Sequence, residues 1–273
     1  FILFGIGGSY KPNENIEIYS NVSENYRSVT FADISIINPA FSINPDISDE
    51  RGNTIDLGIR GNINKLISYD LTLFNLNYKD RIGFAQKEFK DGSVKSERGN
   101  IGDAIIYGLE SNIDFDVNNL IIKNDNISLN VFLNTAIIDS EYIRSEENGV
   151  IGKKVEFVPN YNIKTGIKLG IGNFIFNTQY SHVSTQFTDS SNAKEGNISG
   201  IIGEIPGYSL LDFSIAYRLK KIKIETGINN LTNTYYFTRR ATGYPGPGII
   251  PSPPRNSYLT CLLYTSPSPR DGW

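Results

Sequence analysis

The sequence predicts an all-β protein, a transmembrane antiparallel β-barrel. Two observations carry this prediction. Apolar and polar residues alternate with a period of two along most of the 273-residue chain, and the connections between these segments are short and long in strict turn. Strict alternation gives a strand one apolar and one polar face. A soluble sandwich has no reason to place every long loop at one end, whereas an outer-membrane barrel does.

The composition excludes several other classes of protein. The formal net charge is -3, with 39% hydrophobic and 20% charged residues, which is typical of an ordered chain. Lys and Arg form no cluster, so we expect no nucleic-acid partner, because phosphate neutralisation requires clustered cations. No apolar run approaches the roughly 20 residues that a spanning helix needs, which excludes a helical membrane protein.

Alternation is clearest at residues 107–117, 161–169, 211–219 and 222–229. Residues 69–78 alternate less cleanly, which we interpret as a bulge or a tightly packed inner face. Over the whole chain the pattern predicts about eleven strands, at residues 2–10, 16–26, 53–62, 67–79, 104–117, 126–138, 160–170, 173–184, 207–219, 221–235 and 256–264.

The connections alternate in length five times. Short ones are predicted near 11–15, 63–66, 118–125, 171–172 and 220, and long ones near 27–52, 80–103, 139–159, 185–206 and 236–255. Short turns face the periplasm in outer-membrane barrels and long loops face outwards. The last strand follows a long loop, so we expect it to run inwards.

Tyrosines gather near the predicted strand ends, Tyr107, Tyr142 and Tyr161 among them. This placement favours aromatic girdles at the two membrane interfaces.

Both ends of the sequence are unusual for such a barrel. The chain contains no Met and starts within an apolar pattern at Phe1, so we infer that an N-terminal part, including any signal peptide, precedes it. We assign residues 1–260 to the barrel. At 261–273 alternation stops and two prolines enter, so we expect a non-native tail there.

Six segments, in order along the chain, resemble the C-terminal barrel of TonB-dependent outer-membrane receptors. They are ERGNTIDLGIRG at 50–61 with its preceding Asn44-Pro45-Asp46, FNLNYKDRI at 74–82, IYGLE at 106–110, VPNYN at 158–162, IPGYSLLD at 205–212 and GINNLTNTYY at 227–236. A seventh, FTRRATGYPGPGIIP at 237–251, is similar to the last long loop of ferric-citrate-type receptors.

This resemblance implies a 22-stranded barrel with an N-terminal plug, of which the eleven strands are the second half. It also implies the partners: a ferric chelate, outer-membrane lipid, and TonB, which would act through the plug and coupling box that this chain lacks. Iron would be present only as part of the transported chelate, with no resident cofactor. The chelate could be ferric citrate, another siderophore complex or a non-iron nutrient.

The residues favour neither an enzyme nor a metal centre. His182 is the only His, at a predicted strand end, where a girdle or loop-base position suits it better than a catalytic triad. Cys261 is the only Cys, so the chain has no internal disulfide and no His–Cys metal site.

Candidate ligand contacts follow from the chemistry of an anionic, oxygen-rich chelate. Arg supplies a planar fork of donors that matches carboxylate oxygens. Arg239 and Arg240 occupy the last long loop, and Gln186 starts another. Arg60 and Arg218 have polar parity and could line the lumen. Each Arg could instead be a solvated loop charge or a salt bridge to a plug.

The sequence therefore predicts an outer-membrane receptor that imports a ferric chelate with TonB-supplied energy. One alternative is a passive porin-like barrel. The other is a secreted β-rich adhesin or hydrolase, in which a second sheet would bury the apolar faces.

Overall fold

The computed structural model describes residues 2–35, 41–90, 94–119, 126–198, 200–241 and 248–264. Its main element is one antiparallel sheet in which eleven strands follow each other in chain order, each paired with the next. These strands are β1 (Gly5–Asn13), β2 (Ile16–Arg27), β4 (Glu50–Ile63), β5 (Ile67–Glu88), β6 (Val94–Asp116), β7 (Ile127–Arg144), β8 (Tyr161–Ile171), β9 (Phe174–Val183), β12 (Tyr208–Leu219), β13 (Ile222–Asn229) and β16 (Asn256–Leu263).

The remaining elements lie in the long connections. Helix α1 (Phe31–Ile34) and strand β3 (Phe41–Ile43) follow β2, and β3 pairs in parallel with β6. Two small hairpins complete the structure, one of β10 (Gln186–Phe187) with β11 (Glu204–Ile205) and one of β14 (Phe237–Ala241) with β15 (Gly248–Pro251).

All eleven predicted strands are confirmed, and so are four of the five predicted long connections; the exception is the connection between β5 and β6. The turns at one end of the sheet are tight: Asn64 and Lys65 join β4 to β5 with φ of 52° and 59°, and Gly172 joins β8 to β9 with φ of 56°. Positive φ at such positions is what two- and three-residue hairpin loops require. Residues 120–125 of the predicted short connection at 118–125 lie outside the described residues.

The two faces of the sheet differ as the alternation predicts. Leu57 and Leu73 are directly opposite each other on β4 and β5, and their side chains are 52% and 56% exposed. The next pair on the other face is Asp56 and Phe74. Among the described residues no second sheet covers the exposed apolar face, which removes the sandwich alternative.

The prediction of a loop at 80–103 was wrong. Strands β5 and β6 continue beyond the rest of the sheet, with Ile82 to Glu88 paired against Val94 to Asn100. Ile82, Ala85 and Ser96 are buried there because β3 and the chain after β9 pack on this extension. Burial on both sides removes the polar–apolar alternation by which such a strand could be recognised.

The irregular segment 69–78 reflects a packed inner face. The register of β5 against β6 is continuous from Ile67 to Tyr78, and the bulge lies later, between Tyr78 and Ile82. Phe74, Leu76 and Tyr78 pack against a buried cluster formed by Ala85, Ile101, Ala104, Ile106, Tyr142, Val150 and Val155.

Tyr142 does not belong to an aromatic girdle, because its side chain is fully buried in this cluster. It lies on the polar face of β7, where the chain at 150–158 covers it. Tyr107 and Tyr161, by contrast, lie on the exposed apolar face, as a girdle requires.

The last strand continues past the predicted start of the tail. Cys261, Leu262 and Leu263 pair in register with Ile224, Lys223 and Ile222 of β13. Residues 265–273, which contain both prolines of the tail, lie outside the described residues. Within the described ranges, no helix has the length and apolar character needed to cross a bilayer.

Replacing Leu57 with Arg should destabilise the full-length receptor by about 2 kcal/mol in lipid, since a cation would face hydrocarbon. Urea titration of the receptor folded into liposomes measures this. Asn112→Arg is the matched control, because Asn112 is exposed on the opposite face of β6, and we expect a change within about 0.5 kcal/mol. An equal loss in both variants would contradict the assignment of the two faces.

Candidate functional site

The long-loop end of the sheet contains a charged pocket of about 580 Å³. It opens between the outer ends of β2, β4 and β5, helix α1 and the extended β5–β6 hairpin. Its lining combines three arginines with three carboxylates and two phenylalanines, namely Arg27, Arg81, Arg98, Asp33, Glu50, Glu156, Phe84 and Phe157.

Asp33 organises one side of this pocket. Its carboxylate is 3% exposed and accepts hydrogen bonds from Arg27 at 2.8 Å and from Arg98 at 2.7 Å. It also accepts bonds from the backbone N–H and hydroxyl of Thr30, which closes the start of α1. Burial alone would raise the pKa of Asp33, but these donors outweigh it and hold the pKa well below its usual value. The clamp is therefore fully ionised at neutral pH.

Arg81 lies on the other side of the pocket, above the buried cluster. Its guanidinium carbon is 5.2 Å from the centre of the Tyr78 ring, and its Nε is buried without a hydrogen-bond partner. Nearby, the Tyr142 hydroxyl donates to Glu156 Oε2 at 2.6 Å, which leaves Glu156 Oε1 buried and unbonded. Both unbonded atoms belong to charged groups, and each retains the capacity for one further hydrogen bond.

The guanidinium groups of the pocket keep donor positions that the described residues do not use. Each guanidinium has five donors in a rigid fork, and a bound carboxylate could replace a protein carboxylate at part of that fork. Arg98 is also stacked on Phe84, with its guanidinium carbon 4.6 Å from the ring centre, which fixes the direction of its donors.

A second cluster at the same end contains two of the predicted contact residues, Arg240 and Gln186. Arg240 donates to the carbonyl oxygens of Gly200 and Glu204, each at 2.8 Å, and so joins the β14–β15 hairpin to the chain after β9. Burial lowers the pKa of Arg240, against the opposing effect of Glu204. Gln186 lies in the adjacent β10, opposite Ile205.

Arg239 is exposed and makes no hydrogen bond or ion pair with any described residue. Residues 242–247 of the predicted ferric-citrate-type loop lie outside the described part of the chain.

Arg60 and Arg218 lie at the opposite end of the sheet, near the short turns. Arg60 is on the polar face, donates to Glu17 at 3.1 Å and is stacked on Tyr19. Arg218 is exposed and lies opposite Lys223. The structure therefore brings Gln186 and Arg240 together, but it separates Arg60 and Arg218 from them by the height of the sheet.

The residues weighed for other chemistry are also placed. His182 lies on the apolar face at the outer end of β9, where its ring Nδ1 is 2.9 Å from the Ser209 hydroxyl. Cys261 is exposed on β16. In the ranges that the structure describes, His, Cys, Asp and Glu form no group able to hold a metal ion.

Sequence reasoning missed Arg27, Arg81 and Arg98 because no spacing connects them. Arg81 and Arg98 fall in the segment taken for a loop at 80–103, and Arg27 is the first residue of the long connection predicted at 27–52. Their only common signal is that each lies just beyond an alternating segment, at the long-loop end.

Solved structures with the same fold are outer-membrane transporters and receptors. The unliganded ferric citrate transporter FecA superposes with a TM-score of 0.75 at 22% identity, over 96% of this chain and 38% of that chain. The copper transporter OprC gives 0.70 at 15% identity, over 95% and 38%, and the ferric yersiniabactin uptake receptor FyuA from Yersinia pestis 0.68 at 17%, over 95% and 36%. The chain thus spans a little over a third of these proteins.

A family model describing the TonB dependent receptor-like β-barrel matches residues 1–231. That match includes ten of the eleven strands of the sheet in full. With its alternating faces, its chain-order antiparallel pairing and its long loops at one end, the chain belongs to the TonB-dependent receptors and forms part of the wall of a bacterial outer-membrane barrel.

Proposed function

We propose that this chain is part of a receptor that imports a ferric chelate, ferric citrate or a similar siderophore complex, with energy supplied through TonB. The family is one of receptors and transporters, and two of its structural neighbours are described by the iron chelates they carry. In this proposal TonB acts through a plug and coupling box outside this chain. Iron is cargo within the chelate, and the barrel needs no resident cofactor.

The observation that supports this proposal most directly is the pocket lined by Arg27, Arg81 and Arg98. A ferric chelate with carboxylate ligands presents oxygen atoms and negative charge, which suit guanidinium forks in a partly desolvated pocket. Its volume of about 580 Å³ is in the range of small-ligand sites.

Arg239 is proposed as a direct contact from the last long loop. Its side chain is exposed and has no competing partner in the described part of the chain. Arg240 and Gln186 are proposed to complete this edge of the site, with Arg240 also holding two loops together. Arg60 and Arg218 would meet the chelate only later, along the lumen near the periplasmic turns.

The chemistry of the chain favours an oxygen-rich ligand over a soft metal. OprC is named as a copper transporter, and copper(I) prefers thiolate and thioether ligands. This chain has no Met, one Cys and one His, and Cys261 and His182 lie on different strands. In this part of the receptor, therefore, arginines rather than sulfur atoms are available to the cargo.

Arg239→Ala should weaken ferric citrate affinity about tenfold, since one charge-assisted contact is lost, without changing thermal stability. Titration of the purified full-length receptor and uptake of radiolabelled ferric citrate measure this. Lys220→Ala, in a short turn, is the matched control; unchanged affinity in Arg239→Ala would remove that residue from the site.

Arg240→Ala should weaken affinity and also increase proteolysis between residues 188 and 205, because the hydrogen bonds from Arg240 to Gly200 and Glu204 are lost.

Arg81→Lys keeps the positive charge in the pocket but removes the fork of donors. We expect about a fivefold to tenfold loss of chelate affinity, with the melting temperature changed by no more than a few degrees. The control is Arg144→Lys, because Arg144 pairs with Asp103 outside the pocket, with Nε to Oδ2 at 2.8 Å. Equal affinities of the Arg81→Lys variant and the parent would show that the pocket does not hold the chelate.

A further inference from the structure

We propose that the chelate carries an aliphatic arm, and that this arm binds a second pocket beside the charged one. The inference rests on the proposed function and narrows the class of cargo to an iron chelate with an anionic, oxygen-rich head and an acyl chain. The second pocket has a volume of about 410 Å³. We call it the apolar pocket, because most of its lining is hydrophobic, namely Phe41, Val94, Ile198, Ile201 and Ile202.

The two pockets lie on one face of the β5–β6 extension. Residues paired across antiparallel strands share a face, and so do residues two positions apart on one strand. Phe84 pairs with Arg98, and both line the charged pocket. The next pair on the same face, Gln86 with Ser96, lines the apolar pocket, and Val94 follows two positions further along β6. A ligand bound at Arg98 can therefore extend along this face to Val94.

A pair of aromatic rings connects the charged pocket to the apolar one. Phe84 contacts Arg98 on one side, with 4.6 Å between the guanidinium carbon and the ring centre. On the other side its ring meets Phe41 edge-on, with the ring centres 5.5 Å apart. Phe84 also packs on the buried cluster of Phe41, Ile201 and Ile202, which forms part of the apolar lining. Because Phe84 contributes to both sites, a single ligand can contact both.

The spacing of the two pockets sets the length and direction of the arm. Four residues separate Arg98 from Val94, which is about 13 Å along a strand. An extended octanoyl chain covers most of this length, measured from a carboxylate held by Arg98. Since β6 runs inwards from the tip of the hairpin, Val94 lies farther from the membrane than Arg98 does. The head of the chelate therefore lies towards the barrel, and the chain lies among the long loops.

Polar contacts hold the inner part of the apolar lining in place. The side-chain oxygen of Asn197 accepts hydrogen bonds from the backbone N–H groups of Ile201 and Ile202, at 3.0 and 3.2 Å. Arg240 donates to the carbonyl oxygen of Gly200 in the same segment, at 2.8 Å. The apolar lining is therefore formed before a ligand binds, which lowers the conformational cost of binding.

The mouth of the apolar pocket presents hydrophobic side chains that the described residues do not cover. Val94 is 62% exposed, and Ile198 is fully exposed. Exposed apolar surface next to a polar site is typical of ligand-binding grooves. Covering these side chains with methylene groups stabilises a complex in proportion to the apolar area removed from water. Citrate has no chain long enough to cover them, whereas an acylated chelate does.

The test compares two ferric complexes whose iron-binding groups are identical. Each is a citrate dihydroxamate, in which the hydroxamate acyl groups are acetyl in one compound and octanoyl in the other. We expect the full-length receptor in nanodiscs to bind the octanoyl complex about tenfold to fiftyfold more tightly, because a few methylene groups are buried. Val94→Asn with Ile198→Asn should reduce this preference to about threefold or less, since the mouth of the pocket becomes polar. The affinities of this variant for the acetyl complex and for ferric citrate should equal those of the parent.

Ile143→Asn with Ile151→Asn is the matched control and should keep the preference of the parent. It too changes one exposed strand residue and one exposed loop residue, and both lie outside the two pockets. Partitioning of the octanoyl chain into nanodisc lipid affects every variant equally, so the difference between variants reports on the pocket.

The full preference of the parent in the variant with both Val94 and Ile198 changed would overturn the proposal. Equal affinities of the parent for the two complexes would also overturn it, and that measurement requires no variant to fold. If the parent binds ferric citrate and the acetyl complex but does not prefer the octanoyl complex, the inference fails while the proposed function stands. If the parent binds none of the three, both fail.

Discussion

The structure depends on one constraint: in the hydrocarbon layer, backbone N–H and C=O groups have no water to bond and must bond to a neighbouring strand. In the described residues, the nine inner strands of the sheet satisfy this with antiparallel ladders on both sides, and β1 and β16 each have a ladder on one side. The ladder leaves each strand one face for lipid and one for the interior. Leu57 and Leu73 are therefore exposed on the lipid face, whereas Asp56, at the next position, lies on the interior face. The alternation of polar and apolar residues in the sequence therefore follows directly from the two faces of the hydrogen-bonded ladder.

Outside that layer, the chain follows the rules of soluble proteins. The extension of β5 and β6 is covered by β3 and by the chain after β9, and a buried cluster around Tyr142 forms on its inner side. Buried carboxylates there have charged or polar partners: Asp33 has two guanidinium groups, and one oxygen of Glu156 has the Tyr142 hydroxyl. The loop region is therefore an ordered platform for a pocket, and not a set of free connections.

Prediction from sequence succeeded where one face meets lipid or water and failed where both are covered. The strands around Leu109, Ile167 and Phe213 were evident because exposure on one side preserves the period of two. The segment from Ile82 to Ile101 lost that period through burial, and Tyr142 was misplaced because its neighbours in space come from residues 150–158. Sequence chemistry selected Arg239, Arg240 and Gln186, which lie at the same end of the sheet as the charged pocket. It could not find Arg27, Arg81 and Arg98, because only tertiary structure brings three separate strand ends to one pocket.

The arginines show how parity decides the role of a side chain. Arg27 on β2 pairs with Glu50 on β4, and the preceding residue of β2, Tyr26, pairs with Arg51. Arg27 and Arg51 therefore belong to successive pairs of the ladder and lie on opposite faces of the sheet. One residue of difference turns Arg27 towards the interior, where Asp33 and Glu50 neutralise it, and Arg51 towards the outside, where its side chain is exposed. An interior cation needs a protein partner when the pocket is empty, because a buried unpaired charge is costly. An exposed cation at the outer end of the wall needs none, because water and dissolved ions screen its charge.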